Sequence, residues 1–315
     1  MFELDNLNDP KVFNKEFLDR IQNGGSDALE KAASATTKML RTQLREEGFL
    51  RKIIPPQSIS NEDLNRTLEH DRPIRIEDME NNIKGAASLP FNVSSDAQFF
   101  YGRRFPIEFW TIRTPKFTKS IYELGTYNMD LRQVVTENML KDIQTEEDGQ
   151  FINLCDKIVG PTAGNPSPIT NLTQNHNISG GITRDNYPEI KKYLEKARLN
   201  NGVFLMNRAT AKEFEKWDHD EIGGELSQDI YRGGLASQGD STILGVPHIF
   251  TLKDEMVPDN VVYLFTEPNF LGRFYTLQDV TMFVERKQDQ ICFEATECIG
   301  FSIANIFGVH KVKFN

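Results

Sequence analysis

The chain has 315 residues, of which 38% are apolar and 26% charged, a composition typical of a globular protein with one large domain or two smaller ones. Its formal net charge of −10 argues against general nucleic-acid binding, which depends on Lys and Arg at phosphate groups. No run of about 18 apolar residues occurs, so no membrane-spanning segment is predicted.

The first part of the chain reads as a helical arm followed by a polar connection. Apolar residues at helical spacing predict two short helices within residues 8–47, separated by Gly24 and Gly25. Pro55 and Pro56 then force an extended chain, and the polar residues 57–98 predict an irregular excursion. The start of the sequence has neither a basic region nor an apolar core, so no signal peptide is predicted.

Residues 99–123 form a strip that is both aromatic and basic. Aromatic and β-branched residues predict strands, and Pro106 and Pro115 predict bends or edges. Three interpretations remain open: the strip docks on an acidic surface of an identical neighbour, packs as ordinary strands within its own chain, or binds single-stranded nucleic acid. The first is favoured, because aromatic residues and arginine are enriched at interface centres. The candidate contact residues are Arg103, Arg104, Phe105, Trp110, Arg113 and Lys116.

The middle of the chain has a mixed pattern of helices and strands. Apolar residues four apart predict an amphipathic helix from Asp130 to Asp156 that continues through Gly149. Residues 160–181 are rich in Gly, Pro, Asn, Ser and Thr and predict a loop. The elements predicted after this loop are a helix Tyr187–Leu199, a strand Val203–Met206, a short helix Thr210–Trp217 and strands 246–251 and 261–266.

The alternation from Gln290 to Ala304 is the longest regular pattern in the sequence. Its apolar residues share one parity, which predicts a strand with one apolar face: Ile291, Phe293, Ala295, Ile299, Phe301 and Ile303. At about 3.3 Å per residue this strand would reach roughly 50 Å. It requires a partner along its whole length, which is typical of an elongated building block.

The sequence contains no convincing catalytic or metal site. Cys155, Cys292 and Cys298 match no metal-binding spacing, and they fit a reducing cytoplasm. Residues 218–221 are a dense cluster of Asp, His and Glu, but adjacent side chains cannot all face one ion, so a solvated turn is favoured. A metal-dependent hydrolase built on this cluster is the alternative from another class. The glycine-rich segment 223–239 matches no phosphate-binding motif. We therefore predict no enzyme, no cofactor and no metal.

In this order, the elements resemble those of tailed-bacteriophage major capsid proteins, which have the Hong Kong 97-type fold. The helix 130–156 resembles the spine helix of that family, and residues 99–123 resemble its extended loop or the return strand. Residues 203–210 are similar to the strand and helix start of the axial domain. Ile243–Pro247 resembles the LG-x-P strand entry, and Ser302–Val309 the close of the peripheral domain.

The resemblance implies an α+β, Hong Kong 97-like phage capsid fold with an N-terminal arm, an extended loop, a peripheral domain and an axial domain. The implied boundaries are 1–55 for the arm, 56–128 for the extended loop and peripheral strands, 129–164 for the spine helix, 165–270 for the axial domain and 271–315 for the long peripheral strands.

The resemblance also implies a function. The chain would assemble with itself into hexamers and pentamers of an icosahedral shell, which encloses double-stranded DNA without sequence-specific binding. It would be found in the virion after assembly in the host cytoplasm, with scaffolding, portal and decoration proteins as further partners and no membrane. An encapsulin-like nanocompartment, which shares the fold, is the alternative, and the long polar stretch before residue 99 favours the phage shell.

Overall fold

A computed structural model of the protein describes residues 48–66, 71–80, 88–94, 102–124, 131–217 and 241–315. The helices predicted before residue 48, the cluster at residues 218–221 and the segment 223–239 lie outside these ranges. The described helices are α1 (Phe49–Ile53), α2 (Ile121–Leu124), α3 (Leu131–Val159), α4 (Asn186–Lys196), α5 (Arg208–Ala211) and α6 (Pro268–Leu271). None of these helices is long and apolar enough to cross a membrane.

The described strands are β1 (Gln57–Ser58), β2 (Asn65–Arg66), β3 (Pro73–Met79), β4 (Arg103–Glu108), β5 (Trp110–Arg113), β6 (Phe117–Ser120), β7 (Asn175–Ile178), β8 (Asn201–Asn207), β9 (Ser241–Ile243), β10 (Val246–Thr251), β11 (Val261–Thr266), β12 (Gly272–Lys287), β13 (Gln290–Ile303) and β14 (Val309–Phe314). They form three sheets. The ribbon sheet has the order β1-β12-β13-β5, with β6 also on β13; the second sheet has the order β7-β14-β11-β8-β10-β9; the hairpin sheet has the order β2-β3-β4.

The ribbon is the antiparallel pair β12–β13, which confirms the predicted long strand. Its register runs from Gly272 opposite Ile303 to Lys287 opposite Gln290, and it shifts between Thr276 and Thr281. The apolar residues of β13 are buried against α3, as their shared parity predicts. On the outer side of β13, β5 and β6 pair antiparallel with two separate parts of the strand.

The long helix α3 lies between the ribbon sheet and one face of the second sheet. It is confirmed at nearly its predicted start, passes through Gly149 and ends at Val159, beyond the expected Asp156. The ring of Phe151 contacts Phe301 of the ribbon at a centroid distance of 6.0 Å and Phe265 of the second sheet at 5.4 Å. One continuous apolar core therefore joins both sheets through α3.

The second sheet is covered on its other face by α4. Tyr187, Ile190 and Leu194 of this helix form a separate core with Phe204 and Val262 of the sheet. The predicted helix and the strands 246–251 and 261–266 are confirmed with nearly the expected bounds. The mixture of helices and strands confirms the predicted α+β class.

The predicted helix Thr210–Trp217 is wrong in its bounds. The chain instead forms the short α5 and a separate 3₁₀ turn at Phe214–Lys216. α5 begins at Arg208, two residues before the predicted start, because Asn207 caps it: the Asn207 side chain accepts a hydrogen bond from the Ala209 N–H at 2.9 Å.

Five strands differ from the sequence expectations. β1, β2 and β3 lie in the region 57–98 expected to be irregular, and β7 lies in the expected loop 160–181. β14 pairs with β7 and β11, so the expected segment 271–315 is divided between the ribbon and the second sheet. The chain turns between them at Gly308, where a Cβ atom would lie 2.7 Å from the Thr266 side chain.

Candidate intersubunit surface

The base of the hairpin sheet rests on the face of the ribbon that points away from α3. Ile107 is fully buried there and forms a small apolar core with Phe109 and Tyr275, while Phe105 and Cys298 pack at its margin. The predicted contact residue Phe105 therefore packs within its own chain.

Polar contacts fix the same base. The Tyr275 hydroxyl donates to Glu77 Oε1 at 2.7 Å, and Arg75 Nε donates to the same oxygen at 3.0 Å. Burial, assisted by the Glu77 carboxylate, raises the pKa of Tyr275 to about 12, so this hydroxyl remains a neutral donor at physiological pH. The hairpin is thus held by both apolar and charged contacts at one end.

The far end of the hairpin carries two of the predicted arginines. Arg103 pairs in register with Met79, and Arg104 with Asp78. Arg104 Nε donates to Asp78 Oδ1 at 2.9 Å, but both side chains are more than 70% exposed, so this ion pair contributes at most about 1 kcal/mol. Arg103 is exposed and forms no ion pair with any residue in the described ranges.

Two further predicted residues are engaged inside the chain. The Trp110 ring packs edge-on against Phe301, with a centroid distance of 5.0 Å and an interplanar angle of 73°. Lys116 Nζ lies 3.6 Å from Glu294 Oε2 and 3.7 Å from Glu285 Oε2, at the protein surface near the turn between β12 and β13. For Trp110, the geometry matches the alternative of ordinary strand packing.

Arg113 borders a groove between β5 and α3 with a volume of about 400 Å³. The exposed carboxylates of Asp142 and Glu146 line the groove, and Gln150 donates to Glu146 at 2.7 Å. Two carboxylates therefore face one guanidinium, and this excess of negative charge suits a cationic side chain from outside the chain.

The structure does not gather the six predicted contact residues on one surface. Arg103, Arg104 and Arg113 expose their guanidinium groups, and Lys116 is half exposed. Phe105 and Trp110 pack within the chain. A contact with a neighbour therefore remains a prediction for all six residues, and the partly buried Phe105 and Trp110 also pack within their own chain.

A buried cluster of charged groups, which the sequence analysis missed, lies on the opposite face of the ribbon. Arg51 donates to Glu147 from Nε at 3.2 Å and from Nη2 at 2.9 Å, and its Nη2 also contacts Glu297 Oε1. The Arg51 side chain is 4% exposed, and the side chains of Glu147 and Glu297 are fully buried. Three segments of the chain, α1, α3 and β13, thus meet through charges.

An adjacent ion pair strengthens the same junction. The fully buried carboxylate of Asp148 accepts hydrogen bonds from the Leu50 N–H at 3.0 Å and from Lys253 Nζ at 2.7 Å. Burial raises the pKa of Asp148 to about 6, although both donors oppose the shift. The Asp148 carboxyl is therefore mostly ionised at neutral pH.

The one sequence signal for this cluster was Glu297 itself. It has the same parity as the apolar residues of β13, between Ala295 and Ile299, where a charged side chain must be buried. Its partners are distant in sequence, since Arg51 is separated from it by 246 positions. The pattern could have flagged Glu297, but it could not have identified Arg51.

Two histidines in the second sheet lie close together. His176 Nε2 is 3.1 Å from His310 Nδ1, and the His176 ring stacks on Tyr193 at 3.6 Å. Burial lowers the pKa of each histidine to about 4, so both are neutral at physiological pH. Within the described ranges, no group of three or more His, Cys, Asp or Glu side chains is arranged to hold a metal ion.

Comparison with known proteins gives no match to a family model and none to a curated protein. Solved structures do match. The asymmetric unit of the bacteriophage PhiM1 mature capsid has a TM-score of 0.56 at 8% identity, with coverage of 85% of this chain and 87% of that chain. The capsid of Cyanophage P-SCSP1u has a TM-score of 0.54 at 9% identity, with coverage of 79% and 85%.

A virus-like particle from Pyrococcus furiosus also matches, with a TM-score of 0.51 at 16% identity and coverage of 89% of this chain and 98% of that chain. The matches extend over most of each chain, so they concern the whole architecture. This chain has the Hong Kong 97-type capsid fold, as the sequence predicted.

Proposed function

We propose that the chain is the major capsid protein of a tailed bacteriophage, a non-enzymatic subunit that assembles with copies of itself into an icosahedral shell around double-stranded DNA. The observation that supports this most is the match to capsid chains over nearly their full length. In this proposal, α3 and the ribbon sheet form the peripheral domain, and the second sheet, including β14, forms the axial domain. The site of action is the virion.

The hairpin sheet is the proposed contact with the neighbouring subunit. It is fixed to the ribbon at Ile107 and presents exposed Arg103 and Arg104 at its other end. The groove beside α3 offers Asp142 and Glu146 as acceptors. Opposite charges on two surfaces of one chain allow each copy to bind the next copy in a closed, head-to-tail ring.

The test of assembly is negative-stain electron microscopy with light scattering on the purified full-length chain over a range of concentrations. We expect rings of five or six subunits, or closed shells. Particles that contain DNA after co-expression with phage packaging proteins support the phage shell. Particles that retain a specific host protein support the encapsulin-like alternative instead. A chain that stays monomeric under all these conditions would contradict both.

The contact is tested by the double reversal Arg103→Glu with Arg104→Glu. We expect it to abolish assembly while the monomer stays folded, because the only described ion pair lost is the exposed one with Asp78. The matched control is Arg66→Glu with Arg72→Glu, which reverses two exposed arginines near the hairpin base.

Both double variants carry the same change in net charge, from −10 to −14. If the two fail to assemble equally, general repulsion explains the loss and the proposed contact is wrong. If the first assembles normally, the hairpin end does not carry the contact. Circular dichroism and urea unfolding of the monomers verify that each variant is folded.

A further inference from the structure

The segment around α1 is held against the body of the protein from two sides. Leu50 and Ile53 are buried in the main core, and the Leu50 N–H donates to Asp148. Between these contacts, the Arg51 side chain reaches inward to α3 and β13 and lies over the Phe274 ring at 5.5 Å. The short α1 is therefore docked through one inserted guanidinium group.

The charges around Arg51 do not balance. Arg51 faces the carboxyl groups of Glu147 and Glu297, so one positive charge meets two negative ones. The neighbouring Asp148 has its own cation, Lys253. Among the described residues, Ile112 of β5 and Phe274 of β12 are uncharged neighbours of this cluster, and the carboxyl group of Asp279 of β12 lines the same cleft as Arg51.

Two buried carboxylates that share one cation are costly. Glu297 Oε1 accepts from Arg51, but Glu297 Oε2 finds no donor among the described residues, whereas Glu147 accepts two hydrogen bonds from Arg51. Burying an ionised carboxylate that has no cation of its own costs so much that the group takes up a proton instead. Consistent with this, burial and the adjacent Glu147 raise the pKa of Glu297 well above its ordinary value.

We propose that Arg51, Glu147 and Glu297 form a proton-carrying latch, in which one proton is retained by the two carboxyl groups and α1 is held closed by the inserted Arg51. Glu147 acts as the ionised partner of Arg51, and Glu297 holds the proton. The latch operates within a single chain and does not depend on shell assembly.

The sign of the pH dependence follows from proton binding. When α1 leaves, Glu297 regains access to water and releases its proton near its ordinary pKa of 4.5. The closed state then binds one more proton than the open state, so rising pH favours opening until the pKa of the closed state is passed. The pKa of Asp148 is also raised, but only to about 6, so Asp148 has lost its proton above neutral pH. A pH dependence measured above neutral therefore reports on Glu297.

The experiment is amide hydrogen exchange of the full-length chain, followed at residues 49–54 between about pH 7 and about pH 9 and corrected for the intrinsic exchange rate at each pH. In the wild type, we expect protection of these amides to fall by up to about tenfold per pH unit, the slope for one linked proton. In Glu297→Gln, which imitates the protonated carboxyl group, protection should be independent of pH.

Glu294→Gln is the matched control, since Glu294 lies on the same strand but faces the exposed Lys116. It should keep the wild-type pH dependence. Glu147→Gln removes the ionised partner of Arg51 and should lower protection at every pH. Equal loss of protection in Glu297→Gln and Glu147→Gln would overturn the assignment of the proton to Glu297.

A second readout does not depend on how well the variants dock α1. The infrared absorption of protonated carboxyl groups should be present in the wild type at about pH 7 and reduced by one group in Glu297→Gln. An identical spectrum in the two proteins, together with a flat pH profile of protection in the wild type, would show that the latch carries no proton.

Discussion

Gly300 is the residue at which the hairpin and the ribbon come closest. A Cβ atom at this position would lie 2.7 Å from the Glu108 carbonyl oxygen and 2.9 Å from the Phe109 ring. The chain crosses the ribbon here as it passes from β4 to β5. A residue without a side chain therefore allows the hairpin to rest directly on β13.

We predict that Gly300→Ala lowers the free energy of unfolding by about 1–3 kcal/mol, because the added methyl group meets backbone that cannot move aside easily. Urea unfolding of the unassembled chain measures this. Gly102→Ala is the control, since nothing lies within 4 Å of its Cβ position, and its effect should stay within about 0.5 kcal/mol. Similar losses in both variants would contradict the close approach at Gly300.

Single residues also mark the limit of what a sequence pattern conveys. Alternation placed Ile291 and Phe301 correctly on the buried face of β13. The same alternation places Glu297 on that face, and only the fold supplies Arg51 to meet it. Trp110 looked like an interface residue by type, yet the register of β5 on β13 directs it onto Phe301. Residue type predicts burial better than it predicts the partner.

At the scale of elements, the hairpin sheet depends on a very small core. Ile107, fully buried, and Ile74, 5% exposed, are the only buried residues of its strands, and Ile76 on the neighbouring strand is 41% exposed. Elements with few buried apolar contacts open locally before the rest of the protein unfolds. The hairpin should therefore respond to changes at its base without involving the second sheet.

We predict that Ile107→Ala destabilises the docking of the hairpin by about 2–5 kcal/mol, the usual cost of removing a fully buried isoleucine side chain. Hydrogen exchange should become faster in 73–79 and 103–108, while β11 keeps its protection. Ile76→Ala is the control and should change exchange little. Faster exchange throughout the protein would show that the hairpin is not a separate unit.

The elements that could be predicted are those whose own sequence encodes a periodic apolar face or, as in β11, an uninterrupted apolar run. The helix α3 and the strands β10, β11 and β13 belong to this group. β3 could not be predicted, because three of its seven side chains are charged and six of the seven are at least partly exposed. β7, with the sequence Asn-His-Asn-Ile, becomes a strand only because β14 lies beside it. Whether such a segment becomes a strand is decided by its pairing with distant parts of the chain.

The candidate site divides in the same way. The basic character of Arg103, Arg104 and Arg113 is visible in the sequence, and the structure leaves these side chains exposed. The groove with Asp142 and Glu146 could not be foreseen, because it forms only where β5 passes along α3. A surface that is composed of distant segments has no local signature in the sequence.

At the scale of the whole molecule, α3 couples the two large sheets. Besides the Phe151 contacts, Asp156 accepts hydrogen bonds from the Tyr263 hydroxyl at 2.9 Å and from Lys311 Nζ at 2.8 Å, both on the second sheet. The main core includes residues of both sheets. The two sheets should therefore unfold as one cooperative unit.

The two tryptophans of the chain allow a direct test. Trp110 packs in the ribbon core, whereas Trp217 packs on Phe214 at 4.9 Å and donates to the Ile182 carbonyl at 2.8 Å in the core beneath α4. We predict that in both Trp217→Phe and Trp110→Phe the urea midpoint from fluorescence coincides with the midpoint from circular dichroism. Separate midpoints would indicate two independent domains.

The ribbon sheet also has a consequence for the order in which a newly made chain acquires its shape. Arg51 meets Glu297 across 246 positions, and Thr114 meets Ala295 across 181 positions. The strands β1, β5 and β6 therefore have no partner until β12 and β13 have been synthesised. Because such distant pairings form slowly, this sheet closes only after β12 and β13 have been made. The hairpin with its arginines gains its support only when the ribbon forms, which delays self-association through the hairpin until then.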